Sequence, residues 1–405
     1  MRASVLRDTR LLVDLDLISH NLRELRAFLD ETAPKGAMGP RIAAVLKADA
    51  YGLGAGRVAL HLAARGVDLF AVACLSEAIE LRRLLPDADI LVMGHSPTGQ
   101  FPELVENRII ATIFDERQAE ALSRSALEAG TRARVHVKID SGMNRLGIKT
   151  GPEALGTMLS IAGQSGLEVE GIFTHLALDS SDSDRLQVAR FMALVTAAEI
   201  RGLRFRYRHV CDSIGLARYP EFHLDLVRPG AILWGVSPGK APLLADRDFR
   251  LALSFRTRVS RLRAVGSGEG VGYDFTWKAP PEGALVATLP AGYADGYPRN
   301  LSNVGEVLIR GVRAPVVGLV CMDQLTVDAS AVPGVAEGDE AILFGSDESG
   351  RIDSGIPLLE AASWASTNRN ELIASISRRV PRVYRREGRD AGHVDYILRE
   401  DTIHD

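Results

Sequence analysis

Short β-branched runs alternate with longer amphipathic segments through the first two-thirds of this chain. That rhythm restricts the fold more than any other feature. The strand candidates are RLLVDLD, RIAAVLK, DLFAVAC, DILVMGH, IIATIFD, RVHVKID, EGIFTHLA, YRHVC and a late LVRPGAILWG. Between them stand segments such as SEAIELRRLL and DERQAEALSRSALEAG, with apolar residues at helical spacing. Alternation of this kind predicts parallel βαβ units. Eight such units close into a (β/α)8 TIM-type barrel, whose active site lies at the C-terminal ends of the strands. An open doubly wound sheet is the alternative, but no GxGxxG dinucleotide loop is present.

Past about residue 245 the texture changes. LSFRTRVSRLRAV, GALVATLPAG, GEVLIRG, RAPVVGLV, LTVDAS and EAILFG are strand-like and separated by Gly, Pro and Asp, and helical patterns are scarce until PLLEAASWAS. This reads as a second, mostly β domain. The expected division is residues 1–12 as a strand associated with the C-terminal domain, 13–244 as the α/β barrel, 245–385 as the β-rich domain and 386–405 as a polar tail. A chain of 405 residues is long enough for two such cores. A net charge of -4 leaves no basic footprint for nucleic acid. No apolar run approaches the roughly 20 residues that span a bilayer. The three cysteines, Cys74, Cys211 and Cys321, lie far apart and form no disulfide framework. The N-terminal stretch lacks the apolar core of a signal peptide. The expectation is a cytoplasmic protein.

In a barrel, the residue ending a strand faces the mouth of the site. Lys47, His175, Cys211 to Ser213 and Arg228 fall at such ends. Each has an ordinary reading on its own. Lys47 suits a solvated loop, His175 a satisfied core histidine, and Arg228 an ion pair. Their co-occurrence at one rim is the signal. A desolvated lysine has a lowered pKa and reacts with carbonyls. If that carbonyl belongs to pyridoxal phosphate, a phosphate cradle is also needed, and backbone N–H groups with a few hydroxyls supply one. Tyr51, Ser213 and the turn Pro229–Gly230–Ala231 are candidates. In RVHVKID, Val135, Val137 and Ile139 share one face while His136, Lys138 and Asp140 share the other. Either face could be the inner one.

AAVLKADAYGLGA resembles the cofactor-lysine motif of the alanine racemases, fold-type-III enzymes that use pyridoxal phosphate. Further stretches resemble the same family in the same order: HVKIDSGMNRLG, GIFTHLA, CDSIG, VRPGAILWG, VGYDFTW, LPAGYADGYPR, CMDQLTVD and RVPRVY. Together they span both domains.

The resemblance implies the following roles. Lys47 would hold the cofactor covalently and act as one acid–base, with Tyr273 as the second on the opposite face. Tyr51, Ser213, Gly230 and Ala231 would hold the phosphate. Arg228 would bond the pyridine nitrogen, and His175 would lie between Arg228 and Tyr273. Arg145 would touch the ring oxygen and the substrate, oriented by Lys138, which is carbamylated in many members. Tyr273, Met322 and Asp323 would come from a second subunit, because the family is a homodimer with composite sites.

Two bases on opposite faces suit racemisation, which removes a proton from one side of the α-carbon and returns one to the other. An arginine at the pyridine nitrogen stays charged. It disfavours ring protonation, and so favours proton transfer over decarboxylation. The implied function is interconversion of L- and D-alanine, supplying D-alanine for peptidoglycan. Another amino-acid racemase, a decarboxylase and a cofactor-binding protein without turnover are the alternatives. The last group lacks both a β domain and a residue such as Tyr273. The family usually has an arginine at the position of Leu319 and often a tyrosine at that of Arg378. These two, with Arg299, belong to the expected gate, so substrate range stays open. Leu53 stands where many relatives have histidine.

Overall fold

The structure, a computed structural model, describes residues 5–36, 38–236, 242–244 and 246–403. Eight parallel strands pair in chain order: Arg41–Val45, Leu69–Val72, Asp89–Val92, Ile110–Ile113, Ala133–Asp140, Leu167–Phe173, Tyr207–His209 and Leu226–Val227. The last returns to the first, with Leu226 opposite Arg41 and Val227 opposite Ile42. The seventh and eighth meet just past their ends. There the Arg228 N–H donates to the Cys211 carbonyl at 2.9 Å, beside a parallel bridge between Asp212 and Arg228. The result is an α/β barrel.

Two of the strand candidates differ from expectation. RLLVDLD contributes Arg10–Asp14, which runs antiparallel to Leu253–Arg258 and parallel to Arg382–Arg386 in the C-terminal sheet. The strand thus extends two residues past position 12. Asp14 then caps the first helix, accepting the N–H groups of Asp16 and Leu17 at 3.0 Å each. LVRPGAILWG supplies only Leu226–Val227 as strand. Pro229 has no N–H for the ladder, and Ala231–Trp234 turns as a 3-10 helix. The expected boundary at 244/245 touches Ala245, which lies outside the described residues, as do residues 1–4 of the N-terminal segment.

Strand alternation divides the barrel into an inside and an outside. Ala43, Val45, Leu69, Ala71, Leu91 and Ile110 pack in a small inner cluster with Tyr207 and Leu226. Ile42, Ala44, Phe70, Val72, Ile90 and Val92 join the large core shared with the helices. Val135, Val137 and Ile139 join that same core, so His136 and Lys138 are the inward pair and are buried. The base of the barrel is closed by ion pairs, Arg134 to Asp89 at 2.6 Å and to Glu170 at 2.8 Å, and Arg41 to Asp89 at 2.9 Å.

The second domain is built on an eight-stranded sheet. Its far edge is the antiparallel pair Arg389–Asp395 and Glu400–Ile403. A separate hairpin, Gly270–Val271 with Trp277–Lys278, presents Tyr273. The two domains are joined by Arg382, whose side chain is fully buried. Its guanidinium donates to the carbonyls of Gly52, Ser377, Val380 and Ile376 at 2.6–2.8 Å. No helix of the described residues is long and apolar enough to cross a membrane.

Removing the Arg382 donors strands buried carbonyls, each costing about 1–3 kcal/mol. Arg382→Met is expected to lower Tm by on the order of 10 °C in a scanning experiment. An unchanged Tm would show that the interface does not rely on it.

Candidate active site

Lys47 stands two residues past the end of the first barrel strand, and the chain then turns the unusual way. Ala48, Asp49, Ala50 and Tyr51 all have φ between 52° and 58°, a left-handed helical turn. L-residues resist this conformation by roughly 1–2 kcal/mol each, so the surroundings must impose it. One carboxylate, Glu77, accepts the Ala48 N–H at 2.7 Å and the Ala73 N–H at 2.8 Å, tying the first two strand ends together. From the C-terminal domain, Arg382 binds the Gly52 carbonyl at 2.8 Å and the Tyr384 hydroxyl binds that of Leu53 at 2.9 Å. A Cβ on Gly54 would lie 1.9 Å from the Tyr384 oxygen, so the contact requires glycine there.

Beneath the mouth runs a buried polar column. Arg228 donates to His209 Nδ1 at 2.7 Å, and His209 Nε2 meets His136 Nδ1 at 2.9 Å. The arginine can only donate, so it fixes the tautomers. His209 accepts at Nδ1 and therefore donates from Nε2. His136 in turn carries its proton on Nε2, 4.0 Å from Glu170. His209 also stacks flat on Phe173, with centroids 4.6 Å apart. Arg228 further donates to the carbonyls of Thr174 and Val210 at 3.0 and 2.7 Å and approaches His175 Nδ1 at 3.4 Å. All these partners are neutral. Burial lowers the Arg228 pKa to about 10, which leaves it a cation at neutral pH. His175 is pulled down to about 2, by burial first and then by Arg228, and stays uncharged.

Nine of the expected site residues line one cavity of about 810 Å³: Lys47, Tyr51, Lys138, Arg145, His175, Ser213, Arg228, Gly230 and Ala231. The Lys47 amine sits 6.0 Å from the Tyr51 ring centre. The Tyr51 hydroxyl faces Gly230, where a Cβ would fall 2.5 Å from it. The Gly230 N–H donates to Ser213 Oγ at 2.9 Å. Asp212 holds the short helix that Ser213 begins by accepting the Ile214 and Gly215 N–H groups at 3.0 and 2.8 Å. Burial pushes the Tyr51 phenol pKa up, so its hydroxyl is a donor. Lys138 is buried against Phe173, its amine 4.3 Å from the ring centre. Burial, then Arg228 and Arg145, pull its pKa well down. Arg145 rides on a loop wound around Asp140, whose Oδ1 accepts the N–H groups of Gly142 and Asn144 at 3.0 Å each.

Tyr273, Met322, Asp323, Arg299, Leu319 and Arg378 do not line this cavity. Tyr273 is 69% exposed and Met322 53% exposed. Asp323 pairs with Arg379 at 2.7 Å. The Leu319 N–H lies beside Gly272, next to Tyr273. Arg299 is exposed and opens a short turn to Leu301. Arg378 stacks over Tyr396, 5.0 Å from its centre. One chain therefore provides a cationic pocket with the Lys47 amine at its rim, and carries its candidate second base on another, open face.

Comparison with known proteins gives the family. Residues 13–238 match the family model of the alanine racemase N-terminal domain, and residues 252–384 that of the C-terminal domain. The chain belongs to the alanine racemase family. It is 36% identical over 400 residues to alanine racemase 1 of Caldanaerobacter subterraneus, covering 98% of this chain and 100% of that one. Among solved structures, an alanine racemase of Clostridium difficile superposes with a TM-score of 0.90 at 31% identity, covering 97% of this chain and all of that one. The Bacillus anthracis alanine racemase with bound L-Ala-P gives 0.87 at 31% identity, covering 98% and 100%.

Sequence reasoning passed over His209 and Glu77, and placed Asp212 at a strand end without giving it a role. His136 was legible as sharing a face with Lys138; only the choice of inner face was missing. Glu77 carries no sequence signal, because its role depends on two loops meeting.

The buried rings carry a pH dependence. His136 is pulled down to about 3 and His61, bonded to Ser19, to about 4, in both cases chiefly by burial. An unfolded histidine titrates near 6.5, so below that pH the unfolded chain binds more protons. Stability is present above about 6.5 and is lost as pH falls toward the folded values. At pH 5 the loss is on the order of 2 kcal/mol per ring. The urea midpoint should fall from pH 7 to pH 5; a flat profile would contradict neutral burial.

Proposed function

We propose that this chain interconverts L- and D-alanine with pyridoxal phosphate held at Lys47, in the cytoplasm, and supplies D-alanine to peptidoglycan. The observation that carries the reading is the buried Arg228 cation among neutral partners, at the floor of a cavity whose rim carries one amine. Those residues fit the cofactor. Ser213, Tyr51 and the turn at Gly230 and Ala231 suit a phosphate. Arg228 suits a ring nitrogen with a lone pair, and Arg145 a ring oxygen. The cofactor, when bound, delocalises the charge left when the α-proton is removed.

The chain's own groups do the rest. The Lys47 amine takes or returns a proton at the α-carbon on one face. The Tyr273 hydroxyl of a second copy does so on the other. Neutral His175 links Arg228 toward that tyrosine. Arg228 opposes protonation of the ring nitrogen, which restrains side reactions. Met322 and Asp323, also from the second copy, and Arg145 line the substrate. Arg299, Leu319 and Arg378 form the gate. Burial and its cationic neighbours pull the Lys138 pKa well down and so favour the neutral amine that combines with carbon dioxide; a carbamate there would give Arg145 an anionic partner.

The exposure of Tyr273, Phe275, Met322 and Tyr293 supports a shared site. Large exposed apolar groups around a functional face mark an interface.

Purified protein given pyridoxal phosphate should absorb in the visible and racemise alanine in preference to serine and larger amino acids. Borohydride should fix the label on Lys47 by peptide mapping; a label on another lysine would overturn the assignment. Lys47→Ala and Tyr273→Phe should each lose nearly all turnover. Mixed under conditions of proven subunit exchange, they should regain up to about a quarter of normal activity, since a hybrid dimer carries one intact site. No recovery would place both bases in one chain.

A further inference from the structure

The turn carrying Lys47 is also held from beyond the C-terminal family match, which ends at residue 384. Arg389–Asp395 pairs with Arg382–Arg386, and Glu400–Ile403 pairs with Arg389–Asp395 in turn. Tyr396 opens the connection between these last two strands. Its hydroxyl donates to Asp49 Oδ2 at 2.5 Å. Its ring lies 5.0 Å from the Arg378 guanidinium and 5.2 Å from that of Arg382. The other oxygen of Asp49 accepts the Ala55 N–H at 2.7 Å, and the Asp49 carbonyl accepts the Gly54 N–H at 3.0 Å. Asp49 is thus bonded to two residues that follow the left-handed turn and, from outside it, to Tyr396.

We infer that Tyr396 is a positioning residue for Lys47: the terminal hairpin holds Asp49 in its left-handed conformation and so sets the direction in which the amine leaves the rim. Asp49 is one of four successive residues whose backbone resists the conformation it adopts. Glu77 secures the start of the turn, and Arg382 and Tyr384 secure its end. The middle has Tyr396. Burial, and then Asp49 itself, push the phenol pKa up, so the hydroxyl remains a donor. The ring also ties the turn to Arg378, so the gate and the amine share one support.

The inference rests on the reading of Lys47 as the cofactor lysine, and two arms keep the two separable. The first arm is hydrogen exchange on the protein without cofactor. Tyr396→Phe keeps the ring and removes the hydroxyl bond to a charged group. Amides of residues 47–55 should then exchange about tenfold faster, while the strand Ala133–Asp140 keeps its rate. Unchanged exchange at 47–55, or equal acceleration in both segments, would overturn the inference.

The second arm is a titration with pyridoxal phosphate followed by absorbance. Tyr396→Phe should weaken binding about tenfold, and adding Asp49→Asn should weaken it little further, because both changes remove one contact. Normal affinity in Tyr396→Phe, or fully additive losses, would also overturn it. Normal affinity in Lys47→Ala would instead overturn the cofactor reading, with the exchange arm still deciding whether the hairpin holds the turn.

Discussion

Arg228 is the contact on which the rest of the site depends. Its backbone N–H closes the barrel against Cys211. Its guanidinium, 3% exposed as a residue, binds two carbonyls and two histidines and has no carboxylate within 4 Å among the described residues. A buried cation without an anion is costly, and a fold that keeps one is suited to an acceptor from outside. The same cation fixes the tautomers of His209 and His136 and, after burial, adds to the downward pull on the pKa values of His175 and Lys138. The electrostatics of the pocket floor follow from this one side chain.

Above that floor, the amine depends on strain imposed by the second domain. Arg382, Tyr384 and Tyr396 all reach the turn after Lys47 from the C-terminal sheet. That sheet also takes the chain's first described strand, Arg10–Asp14, into its middle. The β-rich domain therefore does two things for chemistry. It holds the lysine turn of its own barrel, and it displays Tyr273 away from it.

Much of this was legible in the sequence, for identifiable reasons. Strand–helix alternation is a local pattern, and it gave the barrel and the rim positions of Lys47, His175 and Arg228. The motif around Lys47 named the lysine. It could not show that Ala48 to Tyr51 run left-handed, because no residue type there demands it; the demand comes from residues more than 300 positions away, such as Arg382. The stretch LVRPGAILWG reads as one strand by hydropathy, yet Pro229 ends it after Val227. The tail read from composition only as polar, either loosely ordered or packed at an edge. In the structure, residues 389–403 are edge strands, and Tyr396 between them touches the turn that carries the lysine.

In the proposed reaction two groups on opposite faces of the α-carbon, Lys47 and Tyr273, each handle a different proton. Conversion of L-alanine in deuterium oxide, stopped in the first turnovers and analysed by mass on each enantiomer, tests it directly. Removal of hydrogen on one face by one of the two groups and delivery on the other face by its counterpart predicts D-alanine labelled at the α-carbon, while the remaining L-alanine keeps its hydrogen. D-alanine that retains the substrate's own hydrogen would mean that a single group carries it from face to face, and would contradict the account.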